Sequence, residues 1–179
     1  MSKDTDKELY KLLFGVRRSV RYHNRRRQFF DRLHKFSVFL SALAGTATLA
    51  SVLAKAGPTY TLIFAAAVAI FSVIDLVIGT AQAARLHHDL ARRFFSLEKS
   101  IVSLKDPSDE DLAALTARRL DIEADEPPSL KVLDSICHNE LLRALGYDSS
   151  HYVQIKWYQR LFAQLFDIHE HKITSNAAP

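Results

Sequence analysis

From Leu9 to His34, positions recur at alternating steps of four and three through Leu13, Val16, Val20, His23, Arg27 and Phe30, the spacing of one helical stripe. His23 and Arg27 interrupt its apolar character, so packing there is expected to be looser or more polar than in a leucine seam. The periodicity then gives way to two uncharged apolar runs, Phe36 to Ala54 and Pro58 to Ile74. At a rise of about 1.5 Å per residue they extend roughly 28 Å and 26 Å, close to the ~30 Å of a bilayer's hydrocarbon layer. Each is long enough to span it as a helix. The link Lys55, Ala56, Gly57 followed by Pro58 suits a tight turn, because glycine accepts unusual backbone angles and proline starts a helix without wasting a donor. Beyond the second run a helical stripe resumes at Leu86, Leu90, Phe94, Leu97, Ile101 and Leu104. The two stripes could meet as an antiparallel coiled-coil stalk or rest on the helices that follow.

Past Lys105 the pattern is that of short amphipathic helices. Ser108 is a good cap for a helix over Asp109 to Glu123, with acidic residues in the first turn where the helix dipole favours them. Pro127 and Pro128 break the chain before a second helix, about Ser129 to Leu145, which Gly146 can end in the left-handed conformation. A third helix is expected from about Ser150 to His169, with Val153, Trp157, Leu161, Leu165 and Ile168 on one stripe and Tyr158, Phe162 and Phe166 widening it. Such an aromatic face needs cover, from the stalk, the membrane interface or neighbouring subunits. Ser175 to Pro179 are expected to form a disordered tail. The fold class that follows is an all-α membrane protein. A two-span helical hairpin with long cytoplasmic helix extensions occupies residues 8–104, a small C-terminal helical appendage 105–170 and a tail 171–179. A soluble, fully buried hairpin is the competing reading, but 179 residues leave little material to wrap two such helices. A cleaved leader fits worse, because the first apolar run begins only at Phe36 and a second follows at once.

Charge orients the hairpin. Arg17, Arg18, Arg21, Arg25, Arg26, Arg27, Arg32 and Lys35 precede the first run; Arg85, Arg92 and Arg93, with His87 and His88, follow the second; the turn offers Lys55 alone. Basic residues are retained on the cytoplasmic side, so both termini are expected inside and the turn outside. Arg25, Arg26, Arg27, Arg85, Arg92 and Arg93 form a collar suited to anionic headgroups, while acidic residues concentrate after Lys105. Nucleic-acid binding is the weaker explanation of those arginines, since a basic cluster abutting an apolar span already serves topology.

No enzyme, cofactor or metal is expected. The single cysteine, Cys137, reads as a buried thiol; the histidine pairs His87–His88 and His169/His171 lack a metal framework; the five glycines form no phosphate loop; and Asp125 and Glu126, beside the prolines, read as solvated linker charge. The informative residues lie in the spans. Ser37, Ser41 and Gly45 step by four, and Ala65, Ala69, Ser72, Gly79 and Ala83 trace a small-residue stripe down the second helix. Such stripes let helices approach closely in lipid, either closing the hairpin on itself or joining subunits of a homo-oligomer. Asp75 is the one ionisable residue embedded in apolar sequence, about level with Val38. It either pairs with Lys35 or Arg32 near the inner interface or lines a pore, where one carboxylate per subunit would favour cations.

The leading RRRQFFDRLHKF, the two spans with their minimal turn, ARLHHDLARRFFSLEKSI after them, and the later CHNELLRALGY and YVQIKWYQRLF segments together resemble the SLATT group of two-span prokaryotic proteins, over about residues 8 to 170. The resemblance implies an effector of bacterial conflict and antiphage systems that forms pores or disrupts the membrane when triggered. It also implies a partner that makes or senses a nucleotide, or a reverse transcriptase. A non-conducting membrane adaptor that recruits a cytosolic partner is the alternative.

Overall fold

The computed structural model describes residues 3–55 and 57–170; Ala56 of the turn and the tail expected at its C-terminal end lie outside the described residues. The described elements are helical: α1 (Lys3–Leu53), α2 (Pro58–Ile78), α3 (Thr80–Ser103), α4 (Asp109–Glu123), α5 (Lys131–Ala144), a single 3-10 turn (Ser149–His151) and α6 (Trp157–Phe162). The chain divides into two compact units, residues 26–86 and residues 1–25 with 87–179.

In the first unit the apolar runs form two antiparallel helices, both long and apolar enough to cross a membrane. Within their most apolar stretches 11% of the α1 residues and none of the α2 residues are buried by the rest of the chain. A core helix would be mostly covered; these expose Phe39, Leu49, Leu62, Ile70 and Leu76 among others. The covered side of α1 is Ser37, Ser41, Ala44, Thr48 and Ser51, at steps of four and three. The covered side of α2 is Thr61, Phe64, Val68, Phe71 and Asp75 in the complementary rhythm. Small residues on one helix thus make room for phenylalanines on the other. Two hydroxyls pin the register: Ser37 donates to the carbonyl of Phe71 at 3.1 Å, and Ser51 and Thr61 share a 2.8 Å hydrogen bond.

α2 and α3 are separate helices. Gly79 has φ 60° and ψ 44°, its N–H bonds the Asp75 carbonyl at 2.9 Å, and helix resumes at Thr80. The expected small-residue stripe therefore does not run on through Gly79 to Ala83, because the left-handed glycine redirects the chain between them.

In the second unit both stripes find one core. Leu12 and Val16 of α1, Leu90, Phe94, Leu97 and Ile101 of α3, and Leu115 and Ile122 of α4 pack together, with Leu9, Leu13 and Val20 against them. The stripes meet each other and rest on a later helix at once. α4 begins at a full capping box: Ser108 Oγ accepts from the Asp111 N–H at 3.1 Å, and the Asp111 carboxylate accepts from the Ser108 N–H at 2.9 Å. These bonds hold the Asp111 carboxyl below its ordinary range. Gly146, with φ 80°, follows α5 as expected.

The third C-terminal helix is far shorter than its periodicity predicts. Asn139 Nδ2 donates to the Val153 carbonyl at 2.7 Å and Asn139 Oδ1 accepts from the Val153 N–H at 2.8 Å, both buried. With both backbone groups of Val153 taken by one amide, the chain is held extended there and helix starts only at Trp157. At the far end the Asp167 carboxylate accepts from the N–H groups of Lys131 and Val132, both at 2.9 Å, and so caps α5 rather than continuing α6.

Candidate functional site

The α2–α3 break builds a polar cluster from three helices' worth of chain. Thr80, only 1% exposed, donates its hydroxyl to Asp75 Oδ1 across the bend. His34 Nδ1 of α1 lies 3.2 Å and 3.3 Å from the two oxygens of the same carboxylate and 3.3 Å from Thr80 Oγ1. A carboxylate only accepts, so Nδ1 is the protonated nitrogen of His34 in this arrangement. The sequence expectation that Lys35 or Arg32 partners Asp75 is corrected. Both are exposed, and His34 occupies the position next to the carboxylate. The counting that put Asp75 level with Val38 missed by one helical turn, which changes the partner from a lysine or arginine to an imidazole.

The remaining span residues divide by role. Ser37 is buried and Ser41 and Gly45 are half-buried on the side facing α2, whereas Ala65, Ala69 and Ser72 are exposed on α2. A side chain added at Gly45 would meet nothing within 4 Å, so this glycine is not a point of close approach within the hairpin. The exposed stripe leaves a flat surface on which another apolar helix can lie. If copies of the chain meet on this stripe in a membrane, replacing Ala69 with leucine is expected to weaken that contact while leaving fractionation with membranes unchanged, which cross-linking alongside fractionation measures. An unchanged oligomer distribution would remove this stripe from any subunit contact.

The arginine collar is partly spent inside the protein. Arg25 makes a two-pronged ion pair with Glu140, which raises the arginine's pKa further. Arg93 reaches the Asp125 carboxylate at 2.5 Å and the Asp121 carbonyl at 3.2 Å. Arg26 lies over the rings of Phe29 and Phe30, at 5.7 Å and 4.5 Å, and Arg27 pairs with Asp31 at 3.6 Å. Arg85 and Arg92 are exposed.

A second polar cluster went unseen in the sequence. His23, 1% exposed, stacks on Phe94 with ring centroids 5.6 Å apart; its Nδ1 lies 2.9 Å from Nδ1 of His87, and its Nε2 is 3.0 Å from Glu126. A carboxylate accepts, so His23 Nε2 carries a proton towards Glu126, and the two Nδ1 atoms share one hydrogen bond between the rings. Glu126 is thus a structural partner and not solvated linker charge, and His23 belongs to the core it was expected to loosen. Only an interrupting histidine in an otherwise apolar stripe hinted at this, and its partner lies 103 residues away.

Cys137 is fully buried, and burial pushes its thiol up to about 12, so it remains protonated at neutral pH. A neutral alkylating reagent should therefore label this single cysteine only after denaturation; rapid labelling of the native protein would contradict the packing. Among the described residues no group of His, Cys, Asp and Glu is arranged to hold a metal ion. Compared with family models, characterised proteins and solved structures, the chain matches none.

Proposed function

We propose that this protein is a multi-pass inner-membrane effector that self-associates through its hairpin and, when triggered, opens or perturbs the membrane. The observation that carries the reading is the bare apolar surface of α1 and α2, which the rest of the chain leaves almost wholly uncovered. Lipid is the cover that such a surface fits, and between the first and last turns the backbone groups of each helix bond one another, as a hydrocarbon surrounding demands. The Asp75–His34–Thr80 cluster at one end of the hairpin supports a conducting role, because ionisable groups placed in such segments pair or face water. The resemblance to the SLATT group supports the antiphage setting and a trigger supplied by a nucleotide signal or partner protein.

Reporter fusions should place both termini in the cytoplasm and Gly57 outside, as the arginine bias requires. Purified protein in liposomes should release trapped ions, and an inserted oligomer that releases none would favour the adaptor. Recovery in the soluble fraction would remove the membrane reading altogether.

A further inference from the structure

The amphipathicity of α6 is inverted. Gln159 of the helix and Ala163 at its end face inward, 4% and 1% exposed, whereas Trp157 and Leu161 on the helix and Leu165 and Phe166 just beyond it are 77%, 65%, 56% and 51% exposed. The inward glutamine is satisfied: its Oε1 accepts from the Lys156 N–H at 3.0 Å and its Nε2 donates to the Ile168 carbonyl at 2.9 Å. The segment is therefore anchored by polar contacts and offers its large apolar side chains outward. Beside them lies a cleft of about 220 Å³ lined by Arg143 and Arg160, by Ile136 and Ile155, and by the Arg25–Glu140 pair. Arg25 is neutralised by Glu140, while Arg143 lies over the Tyr152 ring and retains its charge; Arg160, on α6 itself, is exposed. The neighbouring acids are engaged elsewhere, Asp167 on the α5 terminus and Glu170 with Lys131 at 2.7 Å.

We infer that this face docks on an anionic phospholipid surface, with Trp157, Leu161 and Leu165 in the headgroup–acyl boundary and Arg143 and Arg160 taking lipid phosphate. The charge argument selects the occupant. A contact between two copies of this face would gather the Lys156 and Arg160 charges of both into one interface, whereas an anionic leaflet complements them. Tryptophan beside basic residues suits the same boundary, where an amphipathic ring has one side apolar and the other wet. The inference goes beyond the proposed effector role, since the face would bind lipid whether or not the hairpin conducts.

Trp157 is the chain's only tryptophan, so its emission reports the contact directly. Full-length protein would be reconstituted in phosphatidylcholine vesicles with or without phosphatidylglycerol, each carrying a shallow brominated lipid. The expected result is loss of roughly half of the Trp157 emission in the anionic vesicles and markedly less in the neutral ones. Replacing both Arg143 and Arg160 with glutamine should reduce the preference for anionic lipid on the order of tenfold. Leu161→Asp, at an exposed position that leaves packing intact, should abolish the quenching. Equal emission in both vesicle types, or cross-linking of α6 between copies in place of quenching, would overturn the inference. Carbonate extraction of the same samples reads hairpin insertion separately, so the two proposals fail independently.

Discussion

Phe94→Ala should destabilise the helical unit formed by residues 1–25 and 87–179 by about 3–5 kcal/mol, the usual loss for a fully buried phenylalanine. The side chain has no exposed surface, packs in the core shared by α1, α3 and α4, and stacks on the His23 ring with the planes 12° apart. Its removal leaves a cavity and also uncovers one face of the His23–His87–Glu126 chain, whose hydrogen bonds depend on a dry, fixed ring. Phe95 is the internal control. It is 61% exposed, and Phe95→Ala should change stability by no more than about 0.5 kcal/mol. Denaturant titration in detergent, followed by near-ultraviolet circular dichroism and helicity together, compares the two variants. On the proposed membrane reading, insertion should be unchanged in both, because neither substitution alters the Phe36–Ala54 or Pro58–Ile74 run. A Phe94 variant as stable as the parent would mean that the two stripes do not share a core.

What the sequence discloses here is whatever rests on local chemistry. The apolar runs, the Ser108 cap, the Gly146 stop and the four-and-three stripes each depend on residues within a turn or two of one another, and each has its counterpart in a helix or core of the structure. The misses all involve long sequence separations or a residue with two meanings. Gly79 fits a small-residue stripe, yet Gly followed by Thr is also a helix stop and start, and that second meaning is the one realised. The length of α6 was decided by Asn139, which clamps Val153 from fourteen residues away and defeats an otherwise sound periodicity. His34 escaped notice as the partner of Asp75 because counting along two helices from a turn put Asp75 level with Val38, one helical turn away from the residue it meets. The pairing of His23 with Glu126 links two segments whose proximity only the packed unit creates.

That same cluster at Asp75 gives the prediction with the largest consequence for function. Asp75→Asn keeps the shape of the side chain and can still accept the Thr80 hydroxyl, but removes the charge facing His34. If subunits assemble around a water-filled path, one carboxylate per subunit supplies a ring of negative charge, and its loss should lower cation preference in planar bilayers. Thr80→Val makes the complementary change. It leaves the charge and removes the donor that holds the carboxylate at the bend, which should lower stability by about 1.5–3 kcal/mol, the range for hydrogen bonds to charged groups. Selectivity should therefore follow Asp75 and stability should follow Thr80. Gly79→Ala provides a third arm, because a β-carbon at φ 60° is strained by roughly 1–2 kcal/mol and meets Gln82 Oε1 at 3.0 Å, weakening the bend without touching the carboxylate. Reversal potentials measured for the three variants, beside their thermal stabilities, separate the two roles. An Asp75→Asn channel with an unchanged reversal potential would remove the carboxylate from the conduction path and leave it as the clasp that ties α1 to the α2–α3 bend.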